Sequence, residues 1–600
     1  MTHGTGHLLA GDWLSSSYDS LAESLLRGES SVKEQAILFE RFSRDGQSFM
    51  YFGPWPALLR IVLNATFPQF YGNWARVSCL LAAILTVIPF TLAVSRALLA
   101  NAGLTDRQRT RMALFCTVGF AFGSPVVYLV ISSRIYHEAI LWGLCGSVWG
   151  LYSLTLMTLE PRRPIAALWI FSAALAVAFT SRVTFGIPMC LAAPFMFLWG
   201  IQAQGQSWPA VQKFLRPRLL PLLPALAGIA LQLWYNYDRF HSPWVFFDRS
   251  IYLPQMRHAG GYFNIQGIPS TAWNYFGFSW EYFPGHTPFV WLASPTIFAP
   301  DFFVPDFREQ CISLSFASSW LFFPALWAFS KRPARPLLLY GLCLAVQAIL
   351  ILSFHFVTER YIAELLPLFA LGLIVALQSL PWRTGARRIF AGAVAFSCVV
   401  MVSCSLEWNF VYNLKAEPAY RAWFSQLVWH DSGELRHITK RIPLRDLAPS
   451  KSYYSTLSLL GNRGYEKLLR AQSSAPPDAH SHITMRPGTV LTYDVPPGSS
   501  LFTAVVDTSI ATTHCDRASI RFFVRDESGV TLAETETFRS RRHPELLLAP
   551  LHSAKSIDIM VSDGGDGPEC DQGVWYAPAF AETDEAPRPH NPAESLWPFK

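Results

Sequence analysis

Long apolar runs and short polar connections alternate through the first two thirds of the chain. An apolar run of roughly 20 residues is long enough to cross a bilayer as a helix, because each helical residue adds about 1.5 Å. The pattern therefore predicts about ten transmembrane helices. Their ranges are 76–100, 112–132, 138–158, 165–181, 184–201, 219–236, 311–330, 336–355, 361–380 and 388–406.

The polar connections differ in charge, and the difference predicts a topology. Five connections carry clusters of Lys and Arg, which mark cytoplasmic loops, and all five fall on the same side of the alternating helices. The remaining connections, residues 1–75 and everything after residue 406 then face outward. The basic clusters lie at 106–111, 160–164, 212–218, 331–336 and 382–388.

The outward position of residues 1–75 raises a question about export. The segment opens with a short amphipathic stretch at 17–28, and no signal peptide precedes it. We therefore expect that a first helix is missing from this sequence. An upstream reading frame encoding an apolar run would support that expectation.

Beyond about residue 440 the pattern changes from long runs to short alternating strands, which is typical of a β-sandwich. We predict a polytopic α-helical membrane domain at 76–406 followed by an all-β sandwich domain at 441–585. A linker at 407–440 and a disordered tail at 586–600 complete the division. The strands are GTVLTYDV, SIRFFVRD, TLAETETF and SIDIMVSD.

Composition supports a membrane protein and gives no sign of nucleic-acid binding. Charged residues make up 15% of the chain and hydrophobic residues 51%, whereas soluble domains average about 25% charged. The net charge of +6 is modest, and it sits in the loop clusters rather than on one face. No Cys or His spacing indicates a zinc site.

Three arginines occupy outward connections, where the topology rule predicts few. These are Arg134, Arg182 and Arg360. Each alone is explained equally well as an anchor that snorkels to the membrane surface. Together in one outer cavity they would form an anion site, because the guanidinium fork matches phosphate geometry.

Acidic residues in the same outward segments are candidates for general-base chemistry. Asp19 heads the amphipathic stretch, Glu40 follows in the first segment, and Glu138 adjoins His137 where a loop re-enters the membrane. A helix cap explains Asp19 equally well, and a carboxylate favoured by the helix dipole explains Glu138.

Aromatic residues gather at the outer ends of the helices, in stretches such as YFGPWPALLR at 51–60 and YNYDRFHSPWVFF at 235–247. Such surfaces suit sugar rings or lipid headgroups, although aromatic belts occur in all membrane proteins. The predicted substrate contacts in and near them are Tyr51, Tyr136, Arg239 and Tyr361.

The order of these segments resembles the bacterial GT-C superfamily of membrane glycosyltransferases over roughly residues 10–410. The resemblance is to the branch of protein mannosyltransferases and lipid A aminoarabinose transferases. It implies transfer of a sugar from a polyprenyl-phosphate carrier, usually with inversion, to an acceptor on the outer face. It is carried by DGQSFMYFGPWPALLR, YHEA, TSRVT, YNYDRFHSP and TERYIAELLPLF.

The resemblance also implies roles for the candidate residues. Asp19 takes the place of the first-loop acid that acts as catalytic base, and His137 with Glu138 matches the second-loop acidic motif. The three outward arginines are then candidates for the lipid phosphate. Ser20 stands where the mannosyltransferases have the second acid of an Asp-Glu pair, which makes Glu40 a rival base.

The C-terminal domain resembles the NPCBM type of carbohydrate-binding β-sandwich, through its DGGDG turn and the motif around Trp575. The turn predicts either a calcium site or a glycine-rich hairpin with solvated carboxylates, and no other cofactor is indicated. A disulfide between Cys515 and Cys570 is expected on the oxidising side of the membrane. The acids of the turn region are Asp563, Asp566 and Asp571.

The predicted function is that of an inverting glycosyltransferase in the bacterial cytoplasmic membrane, with its C-terminal domain on the periplasmic side. Its partners are a polyprenyl-phosphate-linked sugar, a glycan, lipid or protein acceptor, and membrane lipid. The alternative is a non-catalytic lipid-linked-sugar transporter or a glycan-binding membrane protein. The chain shows no clear inverted repeat, and its ionisable residues gather at the outer helix ends, which speaks against a transporter.

Overall fold

The computed structural model forms two compact units, Met1–Val411 and Tyr412–Lys600. The residues that it describes are 7–11, 14–37, 40–160, 164–199, 208–246, 263–282, 290–292, 311–331, 335–354, 357–412, 438–453, 482–508, 519–535, 538–539, 545–562 and 573–583.

The first unit is helical. Its helices are α1 Ser17–Leu26, α2 Glu34–Ile37, α3 Trp55–Thr66, α4 Ala75–Leu99, α5 Asp106–Phe122, α6 Pro125–Ser132, α7 Ile135–Leu159, α8 Pro164–Ser181, α9 Val183–Leu198, α10 Trp208–Leu219, α11 Leu223–Phe240, α12 Ile268–Phe276, α13 Leu314–Ala317, α14 Ser319–Phe329, α15 Arg335–Ser353, α16 Glu359–Ile362, α17 Leu366–Ser379 and α18 Thr384–Tyr412. Two short hairpins accompany them, formed by β1 Phe42–Arg44 with β2 Gln47–Phe49 and by β3 Glu281–Tyr282 with β4 Val290–Trp291.

Each of the ten predicted spans coincides with one helical segment or, at 112–132 and 311–330, with two. Among the described residues, seven helical segments are long and apolar enough to cross a membrane, with Val211–Phe240 and Glu359–Ser379 each counted as one, and α5 with α6, bent by 44°, is an eighth if the pair is a single span. Helices α9 and α14 are shorter. Prolines inside these two helices remove backbone donors from the apolar runs.

The bend between α5 and α6 has a local cause. Pro125 begins α6, and Gly123 packs so closely on α18 that a Cβ there would lie 3.1 Å from Ser397 Cβ. The carbonyl oxygen of Gly123 instead accepts hydrogen bonds from Ser318 Oγ and Trp320 Nε1, each at 2.9 Å. Neighbouring side chains thus satisfy the carbonyl at the break, which an apolar environment requires.

Helix α7 is the most buried of the spans and packs closely against α8. A Cβ added at Gly146 would lie 2.5 Å from the carbonyl oxygen of Ala174, so only glycine permits this approach. Because α7 is fixed in this way, the residues at its first turn, Tyr136 to Glu138, are held in a defined place.

Residues before α4 fold back onto the ends of α7 and α11 around a small apolar core. The opening helix α1 contributes its apolar face to this core, which explains its amphipathic sequence. The core residues are Leu14, Tyr18, Leu21, Ala22, Val32, Ile37, Met50, Phe52, Ala57, Ile135, Ala139 and Tyr235.

The second unit is built from antiparallel strands. They are β5 Ile438–Pro443, β6 Lys451–Tyr453, β7 His482–Met485, β8 Val490–Asp494, β9 Leu501–Thr508, β10 Ser519–Asp526, β11 Thr531–Glu534, β12 Phe538–Arg539, β13 Glu545–Pro550, β14 Ser556–Ser562 and β15 Gly573–Thr583. One sheet has the order β11-β10-β14-β8-β6 with β12 beside β10, and the other has β13-β9-β15-β5 with β7 beside β15.

The two sheets of the second unit share one apolar core, which confirms the predicted β class. Phe522 from one sheet and Trp575 from the other meet edge to face, with ring centroids 5.1 Å apart. Trp575 is fully buried, so the residue that carried the carbohydrate-binding resemblance serves the core. The predicted disulfide and calcium site and the predicted tail at 586–600 lie outside the described residues, as does most of the predicted linker.

Candidate active site

Three charged side chains form a buried triad between α1, α3 and α7. Arg60 Nη2 donates to Glu138 Oε1 at 2.7 Å, and Arg60 Nε lies 3.7 Å from Asp19 Oδ2. The side chains of Asp19 and Arg60 are 0% exposed, and that of Glu138 is 1% exposed. We call Asp19, Arg60 and Glu138 the buried triad.

Polar neighbours complete the surroundings of Asp19. Asn64 Nδ2 donates to Asp19 Oδ1 at 2.8 Å, and Trp74 Nε1 donates to Asn64 Oδ1 at 2.8 Å. Burial raises the pKa of Asp19, and the Arg60 guanidinium opposes that rise. Asp19 is therefore enclosed by protein on all sides rather than open to an acceptor.

A second group of polar and aromatic side chains lies near the start of α7, at the junction of α8 and α9 and at the start of α16. We call it the arginine–tyrosine cluster. Its members are Glu40, Tyr51, Tyr136, Arg182, Arg360, Tyr361 and Glu364.

Tyr361 is the centre of this cluster. The guanidinium carbon of Arg182 lies 5.2 Å from its ring centroid, and that of Arg360 lies 5.3 Å from it. Arg360 also lies over the ring of Tyr136 at 4.9 Å. Two of the three predicted phosphate ligands thus converge on one aromatic ring, at distances typical of cation–π contacts.

Glu40 is joined to the other members of this cluster by the hydroxyl groups of two tyrosines. The hydroxyl of Tyr136 donates to Glu40 Oε1, and that of Tyr51 lies 3.4 Å from Oε2. Glu40 is 6% exposed, while both tyrosines are partly exposed. Tyr51 also interacts electrostatically with Arg182. The carboxylate is therefore linked to the two arginines through these tyrosines, because Arg360 lies over the ring of Tyr136, and it borders partly exposed side chains.

Arg182 is fixed by an acid that the sequence did not single out. Its Nε donates to Glu364 Oε1 at 2.5 Å, and Thr184 Oγ1 donates to Glu364 Oε2. Both oxygens of Glu364 are thereby engaged by residues at the junction of α8 and α9.

The third predicted phosphate ligand lies beside the cluster. Arg134 immediately precedes α7 and is half-buried. Both Arg134 and Arg360 act electrostatically on His137, which is 1% exposed. The rings of His137 and Tyr128 have centroids 5.3 Å apart. His137 therefore faces Tyr128 inside the protein, on a different side of α7 from Glu138.

Arg239, a predicted substrate contact, has a packing role in the structure. Its Nη1 donates to the carbonyl oxygen of Met50 at 2.7 Å, and its Nη2 donates to Asn236 Oδ1 at 2.8 Å. The side chain is fully buried. These bonds hold the chain after β2 against α11 and leave Arg239 facing the protein interior.

Sequence reasoning missed Arg60, Asn64 and Glu364. Arg60 carried a usable signal, because it interrupts the apolar stretch ALLRIVL, and a charge in such a position needs a partner. Glu364 lies three residues after Tyr361, which places both on one face of a helix. Within the described part of the chain, no group of three or more His, Cys, Asp or Glu is placed to hold a metal ion.

Comparison with known protein families finds one match within the chain. Residues 480–581 match the NPCBM/NEW2 domain, which agrees with the resemblance seen in the sequence. These residues form an NPCBM/NEW2 domain at the end of the chain. A search of curated proteins finds no match to this chain.

Three solved structures are similar to parts of the chain at low sequence identity. The M60 catalytic domain with two CBM51 domains of Clostridium perfringens ZmpB is 16% identical over 24% of this chain and 15% of that one, with a TM-score of 0.19. The arabinosyltransferase EmbB of Mycobacterium smegmatis is 10% identical over 96% of this chain and 63% of that one, with a TM-score of 0.31. The Archaeoglobus fulgidus oligosaccharyltransferase is 12% identical over 70% and 56%, with a TM-score of 0.33. The chain spans less than two thirds of each of these three proteins.

Proposed function

We propose that this chain is a membrane glycosyltransferase. It moves a sugar from a polyprenyl-phosphate carrier to an acceptor hydroxyl, with inversion, at the outer face of the bacterial cytoplasmic membrane. The observation that carries the proposal is the arrangement of Arg182 and Arg360 around Tyr361, with the carboxylate of Glu40 joined to this group through Tyr136. Anion ligands and a base are thereby combined at one end of a bundle of apolar helices.

The arginines act on the leaving group. A carrier lipid keeps its polyprenyl chain in the bilayer, so its phosphate lies at the ends of the helices. Arg182 and Arg360 bind the phosphate there, with Arg134 as the third ligand. As the bond from the anomeric carbon to the phosphate oxygen breaks, the electron pair stays on the phosphate, and fixed guanidinium groups stabilise that charge.

Glu40 is the base that the geometry supports best. It accepts the proton of the acceptor hydroxyl, whose oxygen attacks the anomeric carbon from the face opposite the phosphate. The hydroxyls of Tyr136 and Tyr51 orient its carboxylate. Asp19 is the other candidate base, but it lies fully buried against Arg60, where an acceptor hydroxyl has no access. We assign the buried triad to holding α1 and α3 on α7.

The NPCBM/NEW2 domain supplies an acceptor-binding role in this proposal. A domain that binds a glycan on the same chain raises the effective concentration of that glycan for the membrane unit. The same domain also supports the alternative that the chain is a glycan-binding membrane protein without transferase activity.

One experiment separates the transferase from the glycan-binding alternative. The purified protein in lipid is incubated with a polyprenyl-phosphate-linked radiolabelled sugar and candidate glycan acceptors. Transfer of label to the acceptor, lost in Glu40→Gln and retained in Glu23→Gln, supports the transferase. Glu23 is a matched control, because it is an acid of α1 that forms a half-exposed pair with Lys33. Glycan binding with no transfer from any donor supports the alternative.

A further inference from the structure

Glu364 is completely enclosed, whereas the arginine that it binds is not. The side chain of Glu364 is 0% exposed, and that of Arg182 is 18% exposed. An ion pair in which only the cation reaches accessible space presents that cation outward and keeps its counter-charge behind it.

The contacts of Arg182 fix its orientation as well as its place. Glu364 accepts from Nε, the guanidinium carbon lies 5.2 Å from the ring centroid of Tyr361, and the Tyr361 side chain also hydrogen-bonds Arg182. Tyr361 and Glu364 are three residues apart at the start of one transmembrane span, so a single helical face makes both contacts. A guanidinium held at Nε by Glu364 and again by the Tyr361 side chain has little freedom to turn.

Thr184 fixes the acid in turn. Its hydroxyl donates a hydrogen bond to Oε2 of Glu364, which restrains the carboxylate from rotating away from Arg182. Arg182 itself is an extended residue between α8 and α9, with φ −154° and ψ 116°, and Thr184 belongs to the first turn of α9. The order of contacts is therefore Thr184 to Glu364 to Arg182.

We propose that Glu364 is a positioning residue for the lipid phosphate, acting through Arg182. This inference rests on the proposed function and deepens it. Arg182 is already oriented in the folded protein, so its side chain loses little conformational entropy when it binds the phosphate. Removal of Glu364 leaves the positive charge of Arg182 in place without the group that orients it, and it also removes a negative charge behind that arginine.

The test is a double-mutant cycle on binding, which does not require the acceptor to be known. The affinity of purified protein for polyprenyl phosphate in nanodiscs is measured for the wild type, Arg182→Ala, Glu364→Ala and the double variant. We expect Glu364→Ala to raise Kd about tenfold, although it removes a negative charge near an anion site. The double variant should bind no more weakly than Arg182→Ala alone, because the effect passes through Arg182.

Two further variants keep the test decisive if Glu364→Ala folds poorly. Glu364→Gln retains an acceptor for Nε and should recover most of the affinity, and Thr184→Val should show a smaller loss than Glu364→Ala. Glu359→Ala is the matched control. It removes an equally buried acid of the same span, one that accepts from the Ile312 N–H at 2.9 Å, and it should leave Kd unchanged.

The outcomes separate this inference from the proposed function. A wild-type protein that does not bind polyprenyl phosphate overturns the proposed function. A wild-type protein that binds it, together with unchanged affinity in Glu364→Ala, a loss in Glu364→Gln as large as that in Arg182→Ala, or additive losses in the cycle, overturns the positioning role alone.

Discussion

Arg60 donates to Glu138 at 2.7 Å in a place where neither side chain contacts solvent. Residue 60 lies in α3 and residue 138 in the first turn of α7, so this bond joins the segment before the first span to the most buried helix of the bundle. Asp19 in α1 lies within 3.7 Å of the same guanidinium. One cation thus holds three elements together.

We predict that Arg60→Met strongly destabilises the membrane unit. The change leaves Asp19 and Glu138 buried without their cation, and breaking a buried ion pair costs about 3–5 kcal/mol. Thermal unfolding of the purified protein in detergent measures the loss. Arg96→Met is the control, because Arg96 pairs with Glu160 at 3.0 Å in a partly exposed setting, where a pair contributes about 1 kcal/mol at most. Equal losses in the two variants would contradict the role of the triad.

We predict that the stability of the wild type relative to Asp19→Asn falls as pH rises. Burial raises the pKa of Asp19 above its ordinary value of 3.8. The folded state therefore favours the protonated acid, and the stability that this supplies is present below pH 3.8 and lost as pH rises through the raised pKa. Unfolding temperatures of both proteins between about pH 4 and about pH 8 test this. A difference that stays constant or grows in favour of the wild type would show that Asp19 is not buried as described.

We predict that Tyr136→Phe lowers kcat and leaves KM for the donor nearly unchanged. The hydroxyl bonds Glu40, and a hydrogen bond to a charged group contributes about 1.5–3 kcal/mol, which corresponds to a loss of roughly tenfold to a hundredfold. The phenyl ring stays available to Arg360. Steady-state kinetics with a polyprenyl-phosphate sugar provide the measurement. A rise in KM alone would assign Tyr136 to substrate binding instead.

We predict that Arg360→Ala and Arg360→Lys both weaken donor binding. A lysine restores the charge but not the planar guanidinium fork, which lies near the rings of Tyr136 and Tyr361 and whose geometry matches a phosphate. KM for the donor should rise about tenfold or more in both variants, a change of about 1.4 kcal/mol. Arg388→Ala removes an exposed arginine from a basic connection at the predicted cytoplasmic side and should leave KM unchanged. Full recovery of KM in the lysine variant would mean that charge alone suffices.

We predict that Trp575→Ala unfolds the second unit or lowers its stability by about 3–5 kcal/mol, the cost of truncating a large buried side chain. Trp575 packs against Phe522 and Phe502 in the shared core. Trp575→Phe should cost less. Limited proteolysis of the full chain, with the fragments identified by mass, reports on this unit. Loss of glycan binding without loss of stability would place Trp575 in a binding site instead.

The main elements follow from local sequence patterns. Apolar runs of helical length and strands of alternating polarity are short-range signals, and each indicates how its own segment must be buried. The sequence placed Arg182 and Arg360 in outward connections, and in the structure both lie over the ring of Tyr361; their role at a phosphate stays a prediction. The sequence placed α9 and α14 as full spans, whereas prolines inside those runs accompany shorter helices.

The ion-pair partners of the charged residues could not be predicted from such local patterns. Arg60 pairs with an acid 78 residues away and Arg182 with one 182 residues away. Nothing local to either arginine specifies its acid, because the pairing depends on how the helices pack. For the same reason, the sequence favoured Asp19 as the base with Glu40 as its rival, whereas the structure encloses Asp19 against Arg60 and joins Glu40 to Arg360 through Tyr136.

The most direct test of this account is the initial rate of sugar transfer from a polyprenyl-phosphate donor by the wild type, Glu40→Gln and Glu23→Gln. Each protein is first shown to unfold at the same temperature. The account predicts transfer by the wild type and by Glu23→Gln, and a loss of at least about a hundredfold in Glu40→Gln, the lower range for removing a general base. Wild-type rates in Glu40→Gln, or no transfer by any of the three, would contradict it.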